Sequence, residues 1–275
     1  MKTLYLDCAM GAAGDMLTAA LLELLPDQED FVSELNHMGL PDVVFSAEKC
    51  VKCGITGTHM SVKVHGAEED AHGHSHHEHP HGHAHNHEHP HNHEHAHDRH
   101  HAHGHHHTDL HVIEHVLSHL TLPEQVKEDV LAVYGQIAQA ESHVHGVPVE
   151  QIHFHEVGTL DAIADVAAVC LLMHRLSPEQ VLASAVHVGS GSVRCAHGVL
   201  PVPAPATAHI LRGVPIYGGS IRGELCTPTG AALLKHFVTG FGSMPVMRVS
   251  DIGYGMGKKD FEQANCVRAM LGETV

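Results

Sequence analysis

The hydrophobic and polar positions of the chain follow two periods, one typical of strands and one typical of helices. Short apolar or alternating runs predict strands at residues 3–8, 43–48 and 56–64, and spacing near 3.6 residues predicts helices at residues 15–25 and 30–38. The chain is therefore predicted to begin with a strand, two helices and two strands.

The second part of the chain mixes helices and strands in a less regular order. Its predicted helices span residues 110–120, 123–143, 161–175, 205–212 and 229–237, and its predicted strands span residues 181–188, 214–217 and 265–271. The helix at residues 161–175 is apolar on every face, which predicts a buried position. Because the elements do not follow a regular βαβ order, we predict an α+β fold with a mixed sheet and packed helices.

A segment with almost no large apolar residue separates the two parts. Histidine occupies 20 of the 36 positions from 72 to 107, out of 35 histidines in the chain. Such a segment cannot bury a core and is predicted to be disordered. The predicted organisation is thus residues 1–69 as the N-terminal part of an α+β domain, residues 70–108 as a His-rich insertion, and residues 109–275 as the remainder of that domain.

Imidazole is a good ligand for nickel, zinc, copper and cobalt, so the His-rich insertion predicts several metal sites of low selectivity. The ligands predicted there are His72, His74, His76, His77, His79, His81, His83 and His85. An expression tag and a pH-sensing segment are the alternatives; a tag is usually a short run at a terminus, whereas this segment is long, irregular and internal.

Composition and charge exclude several classes of function. The chain has 275 residues, of which 43% are hydrophobic, so a buried core is within reach. Its net charge of -17 argues against a nucleic-acid partner. The longest apolar run, residues 166–173, is far shorter than the roughly 20 residues of a membrane span, so no membrane partner is predicted. The seven scattered cysteines fit a reducing compartment, and we expect a cytoplasmic protein.

The densest group of candidate metal ligands lies between residues 153 and 165. In an extended segment, His153 and His155 would lie on one side and Glu156 on the other, whereas Asp161 and Asp165 share one face of the following helix. This pattern predicts a metal site that includes His153, His155, Asp161 and Asp165. The alternative is that the two aspartates are solvated acids that favour the helix dipole.

Several turns offer donors for an anion such as a phosphate. Gly11-x-x-Gly14 precedes Asp15 at a predicted helix start, residues 189–198 combine hydroxyls with a guanidinium, and residues 253–259 are rich in glycine and lysine. The cofactor-binding residues predicted in these turns and at residues 224–230 are Gly11, Gly14, Ser190, Ser192, Arg194, Thr227 and Thr229. His197 is a further predicted metal ligand. The alternative in each case is an ordinary cap or turn, with Thr227 as an N-cap and Pro228 as the first helical residue.

Four motifs in a fixed order resemble those of one family. They are Asp7-x-x-x-Gly-x-x-Gly-Asp-Met, His153-Phe-His-Glu-Val-Gly, His197-Gly-x-Leu-Pro-Val-Pro-x-Pro-Ala and Gly223-Glu-Leu-x-Thr-Pro-Thr-Gly. This set resembles the LarC family, the nickel-insertion proteins that complete the nickel-pincer cofactor of lactate racemase. The resemblance covers nearly the whole chain outside the His-rich insertion, and an internal insertion of that kind is typical of the family.

The resemblance implies a CTP-dependent nickel cyclometallase, which inserts Ni2+ into pyridinium-3,5-bisthiocarboxylic acid mononucleotide with Mg2+ or Mn2+ involved. A bond from nickel to a ring carbon requires loss of a proton, so a base must lie near the ion. His155, Glu156 and Asp15 are the candidate catalytic residues.

Family members with the whole activity continue into a C-terminal half that resembles a CTP-binding part. The partners that the resemblance implies are therefore the mononucleotide substrate and that C-terminal half. The alternative function is nickel storage or delivery without catalysis, in which the His-rich insertion is the whole function. The oligomeric state is left open, with a homo-oligomer as one alternative.

Overall fold

The structure is a computed structural model that describes residues 1–68, 108–154, 156–195 and 197–275. Two predictions concern residues outside these ranges: the disorder of the His-rich insertion and its metal ligands from His72 to His85. His155 also lies outside the described residues.

Seven helices are present in the described part of the chain: α1 (Gly14–Leu22), α2 (Gln28–His37), α3 (Leu110–His119), α4 (Glu124–His145), α5 (Leu160–Leu176), α6 (Pro205–Ile210) and α7 (Pro228–Phe237). Two short 3-10 turns span Val149–Gln151 and Glu156–Gly158. None of the helices described is long and apolar enough to cross a membrane. Each predicted helix is confirmed to within a few residues at its ends.

The strands of the described residues are β1 (Lys2–Asp7), β2 (Val43–Lys52), β3 (Ile55–Val64), β4 (Ala67–Glu68), β5 (Gln180–Ala183), β6 (Val186–His187), β7 (Gly189–Ser190), β8 (Ser192–Cys195), β9 (Gly198–Pro201), β10 (Ile216–Tyr217), β11 (Gly223–Glu224), β12 (Gly240–Phe241), β13 (Met247–Met256) and β14 (Cys266–Thr274). The predicted strand at residues 181–188 is divided into β5 and β6, and the sequence analysis missed β13.

One sheet of eight strands organises the fold, in the order β12-β5-β1-β14-β13-β3-β2 with β4 beside β3. β1 is antiparallel to β14 and parallel to β5, while β13 and β3 are parallel and meet where Gly255 faces Thr58. The predicted mixed sheet is therefore confirmed. Since β3 precedes the His-rich insertion and β13 follows it, the two parts of the chain build this sheet together.

The buried face of the sheet is covered first by α1 and then by α5. Eight of the nine residues of α1 are buried, and α5 is buried along most of its length, as its apolar sequence predicts. Behind α5 lies α4, whose Tyr134 is fully buried and donates a hydrogen bond to the carbonyl oxygen of Val157 at 3.0 Å. This layering places the first residues of α1 and α5 beside each other.

The glycines of β13 explain how α1 lies so close to the sheet. A Cβ atom at Gly255 would overlap the carbonyl oxygen of Met16, and one at Gly253 would overlap that of Ala20. The prediction of a glycine-rich turn at residues 253–259 is therefore wrong for its first half. These glycines are strand residues that admit the backbone of a helix, and only Lys258 and its neighbours lie in the turn that follows.

We predict that Gly255→Ala lowers the free energy of unfolding by about 1–3 kcal/mol, because the methyl group would force α1 away from β13. Thermal unfolding of the variant measures this change. Gly242→Ala is the matched control, since nothing lies within 4 Å of its added Cβ, and its effect should stay within about 0.5 kcal/mol. Equal melting temperatures for the two variants would contradict the proposed role of Gly255.

Candidate functional site

A cavity of about 240 Å³ lies where α1 and α5 begin. We call it the acid pocket. Its polar lining is Asp15, Asp161, Asp165, Glu224, Thr227, Thr229 and Lys258. Met60, Val62 and Val157 supply apolar walls. The pocket thus combines several carboxylates with two hydroxyls and one ammonium group against an apolar background.

Backbone hydrogen bonds fix the loop that leads into α1. Gly11 has a φ of +81°, and a Cβ there would overlap the carbonyl of Leu225. The amide of Ala12 donates to the oxygen of Leu225 at 3.1 Å, and the amide of Thr227 donates to the oxygen of Ala12 at 3.0 Å. Two motifs more than 200 residues apart in sequence therefore form one wall of the pocket.

Asp165 approaches α1 closely because residue 14 is glycine. A Cβ atom on Gly14 would lie 2.6 Å from Cβ and 2.7 Å from Oδ2 of Asp165. Asp165 also accepts a hydrogen bond from the backbone amide of Asp15, and the Asp15 Oδ1 atom accepts one from the amide of Met16 at 2.8 Å. The start of α1 is thus held against the first turns of α5 by both contact and hydrogen bonding.

Two carboxylate oxygens in the acid pocket are buried without a hydrogen-bond partner among the described residues. They are the Oδ1 atoms of Asp161 and Asp165. Buried polar atoms are almost always satisfied, so two unsatisfied oxygens on residues that line one cavity indicate a ligand that the protein is built to accept. The burial of these atoms argues against the alternative that the two aspartates are solvated surface acids.

Burial raises the pKa values of Asp15 and Asp165, and repulsion by neighbouring carboxylates adds to the increase at Asp165. Desolvation lifts the pKa of Asp165 well above the usual range, and the charges of Asp15 and Asp161 add to the increase, while Lys258 opposes it. Desolvation also raises the pKa of Asp15, whereas the Met16 amide, His59 and Lys258 lower it by a smaller amount. A divalent cation or a proton would relieve this repulsion, so the pocket has the electrostatics of a cation-binding or proton-accepting site.

A second cavity of about 170 Å³ adjoins the acid pocket, and we call it the imidazole pocket. Val157, Glu224 and Pro228 line both cavities. The donor groups that belong to the second cavity alone are Glu141, His145, His153, Cys195 and His197. The ring centroids of His145 and His197 lie 4.9 Å apart, and His145 Nε2 lies 3.4 Å from Glu141 Oε2. Within the described ranges, no three or more His, Cys, Asp or Glu side chains already form a group that could hold a metal ion.

The structure divides the predicted metal ligands between the two pockets. Asp161 and Asp165 line the acid pocket, whereas His153 and His197 line the imidazole pocket. His155 lies outside the described residues, and Glu156 begins a 3-10 turn. The described members of the metal site predicted from residues 153–165 therefore line two adjoining cavities.

The predicted anion-binding residues are also distributed. Thr227 and Thr229 line the acid pocket, and Thr227 also caps α7 by accepting a hydrogen bond from the Gly230 amide at 3.1 Å, as its N-cap prediction requires. Ser190 donates to the carbonyl of Ile221 at 2.8 Å. Ser192 and Arg194 are exposed on β8 and are not among the residues that line either described cavity.

Sequence reasoning missed several pocket residues that come from other elements. Glu141 and His145 are spaced i, i+4 near the end of α4, which is a readable signal for two side chains on one helix face. Cys195 ends β8, whereas Lys258 lies in the turn after β13 and belongs to the segment that the sequence already offered for an anion. No local motif connects these residues, because α4 and the β8–β9 hairpin meet only in the folded chain.

The fold and its two adjoining pockets define an α+β protein in which acid and imidazole side chains line neighbouring cavities. A family model described as "Nickel insertion protein" matches residues 4–275, and the chain belongs to this family. No solved structure matches the chain.

Curated relatives align along nearly the whole chain. It is 39% identical over 273 residues to a protein of Desulfitobacterium hafniense and 42% identical over 281 residues to one of Clostridium acetobutylicum. Both carry the name pyridinium-3,5-bisthiocarboxylic acid mononucleotide nickel insertion protein. The alignments cover 99% of this chain but 59% and 64% of those two proteins, so the chain spans about three-fifths of the length of these relatives.

We predict that Asp165→Asn stabilises the chain at pH 7, because burial and the neighbouring carboxylates disfavour the charged form of Asp165. The pKa of Asp165 is higher in the folded chain than in the unfolded chain, where it is about 3.9. Protonated Asp165 therefore stabilises the fold at pH values below the unfolded pKa. This stabilisation is lost as the pH rises through the folded pKa. The advantage of the variant should therefore grow across that window and vanish below about pH 4.

Melting temperatures of the variant and the parent chain between pH 4 and pH 8 provide the measurement. Both proteins carry the same 35 histidines, so the difference between their melting temperatures reports the change at residue 165. Asp251→Asn, at an exposed position, is the matched control and should change little at any pH. A variant less stable than the parent at pH 7, or a difference that does not depend on pH, would contradict the electrostatic account of Asp165.

Proposed function

We propose that this chain is the nickel-binding and substrate-binding portion of an enzyme that inserts Ni2+ into pyridinium-3,5-bisthiocarboxylic acid mononucleotide. The relatives' printed name supports this substrate, and the family supports the metal. The observation that carries the proposal is the pair of buried, unsatisfied Oδ1 atoms of Asp161 and Asp165 in the acid pocket. We assign to this pocket the meeting of nickel with the mononucleotide.

The acid pocket supplies charge for the metal and donors for the substrate. Asp161 and Asp165 are placed to neutralise Ni2+ on its way to the substrate sulfurs, because two desolvated carboxylates gain most from a dication. Thr227, Thr229 and Lys258 on the pocket wall can hold the carboxylate or phosphate oxygens of the mononucleotide. Gly11 and Gly14, the predicted anion ligands at the start of α1, instead admit the Leu225 carbonyl and the Asp165 side chain, and so shape the wall of the pocket.

Formation of the nickel–carbon bond requires a proton acceptor at the pocket. The C–H bond of the ring breaks, its electron pair forms the bond to nickel, and the proton passes to a base. We assign this role to Asp15, because it lines the acid pocket and burial raises its pKa above that of an ordinary aspartate, which makes it a stronger base. His155 and Glu156, which follow α4 in the sequence, are the alternative bases to compare.

The nucleotide, the second metal ion and the partner of the reaction concern the whole family protein, which is longer than this chain. Since this chain spans about three-fifths of the length of its relatives, we assign CTP and its Mg2+ or Mn2+ to the C-terminal part of the family protein, and we propose that part as a partner of this chain. The other predicted anion ligands, Ser190, Ser192 and Arg194, are assigned to contacts outside the acid pocket. We place the reaction in the cytoplasm, where thiolates and thiocarboxylates stay reduced.

We predict that Asp161→Asn slows nickel insertion about 100-fold or more, because the pocket loses a charge that the dication requires. The assay combines this chain with the C-terminal part of the Desulfitobacterium hafniense relative, the mononucleotide, Ni2+, CTP and Mn2+, and detects the nickelated product by mass spectrometry. Asp251→Asn should keep the parent rate. Unchanged product formation by Asp161→Asn would overturn the proposed site, and nickel binding without any product from the parent chain would favour storage or delivery instead.

A further inference from the structure

We propose that the imidazole pocket is a separate nickel site, in which His145, His197 and Cys195 bind Ni2+ before the ion moves into the acid pocket. The identity of the metal rests on the proposed function, whereas the site itself rests on the residues that line this cavity. The three ligands come from two elements that contact each other only in the folded chain, the end of α4 and the β8–β9 hairpin.

The spacing of the two imidazole rings fits ligands of one ion. With a metal–nitrogen distance of about 2.0–2.1 Å, two rings on adjacent coordination positions have centroids roughly 4.4–5.1 Å apart. The centroids of His145 and His197 are 4.9 Å apart, at an interplanar angle of 40°. The rings already have the separation that a shared ion requires, before any ligand is added.

The surroundings of His145 favour a bound cation. Glu141 Oε2 lies 3.4 Å from His145 Nε2, which is the arrangement by which a carboxylate orients a metal-binding imidazole and leaves its Nδ1 atom for the metal. His145 is the last residue of α4, a helix of 22 residues that Gly146 ends with a φ of +66°. The negative end of the helix dipole therefore lies at the site and stabilises positive charge there.

The two pockets offer different ligands to a metal. The imidazole pocket presents nitrogen and sulfur, which select late transition metals, whereas the carboxylates of the acid pocket would also accept Mg2+ or Ca2+. Glu224 lines both cavities and provides a carboxylate that can contact the ion from either side. Passage through the imidazole pocket would thus exclude hard cations from the site of insertion.

Binding requires the Cys195 thiol to rotate towards the two rings. The described residues do not already form a group of three ligands, although the separation of the rings is suitable, and Cys195 is half-buried at the end of β8. The rotamer change of one short side chain has a low cost, so a site that closes around the ion and releases it again suits transfer better than storage.

A thiolate-to-nickel charge-transfer band tests the site in the full chain. Residues 72–107 contain no cysteine, so nickel bound to the His-rich insertion cannot produce this band. With Ni2+ in excess over the 35 histidines, we expect the parent chain to show a near-ultraviolet band equivalent to one thiolate-bound nickel. Cys195→Ser should abolish the band, and His145→Ala combined with His197→Ala should lower it at least tenfold.

Two matched variants complete the experiment. Cys53→Ser removes an exposed cysteine outside the imidazole pocket. The double variant His115→Ala, His119→Ala removes two exposed imidazoles that are neighbours on α3. Both control proteins should keep the full band. Absence of the band in the parent chain, its survival in Cys195→Ser, or an equal loss with the α3 pair would overturn the proposal.

The same band separates this site from the proposed function. Asp161→Asn should leave the band unchanged even though it stops insertion, so a failure of the acid pocket and a failure of the imidazole pocket give different results. A band that disappears in Asp161→Asn would show that there is one nickel site instead of two, and it would overturn the proposed order of transfer.

Discussion

The close approach of α1 and α5 at Gly14 and Asp165 is the contact on which the site depends. Gly253 and Gly255 of β13 let α1 lie directly on the sheet, and Gly14 then lets the Asp165 carboxylate contact the first turn of α1. The Asp15 amide donates to Asp165, so the backbone of one helix orients a side chain of the other. A larger side chain at any of these positions would separate the acids and open the pocket to water.

This contact places negative charges together where water cannot solvate them fully. The cost is visible in the raised pKa values of Asp15 and Asp165 and in two carboxylate oxygens that lack a partner among the described residues. Such a cost persists in a protein when the charges act on something else, either a dication that they neutralise or a proton that they accept. In the proposed transfer, the imidazole pocket complements the acids, because the nitrogen donors of His145 and His197 and the sulfur of Cys195 would discriminate among metals before insertion.

Local patterns in the sequence predict most of the elements and part of the site. The spacing of Asp161 and Asp165 correctly places both on one helix face, and the Thr227-Pro228 pair correctly predicts the start of α7. The strand β13 was missed because a segment rich in glycine resembles a turn. These glycines are present because α1, which is distant in sequence, packs against the strand. The imidazole pocket could not be predicted for the same kind of reason, since His145 and His197 become neighbours only through tertiary structure.

Anomalous diffraction at the nickel absorption edge, from the chain crystallised with Ni2+ and the mononucleotide, is the most direct test of the acid pocket as the place of insertion. We predict an anomalous peak among Asp15, Asp161 and Asp165, at about 2.0–2.2 Å from the Oδ1 atom of Asp161 or Asp165, with the pyridinium ring beside it. A bound mononucleotide in crystals whose only nickel peaks lie away from these aspartates would contradict the central claim.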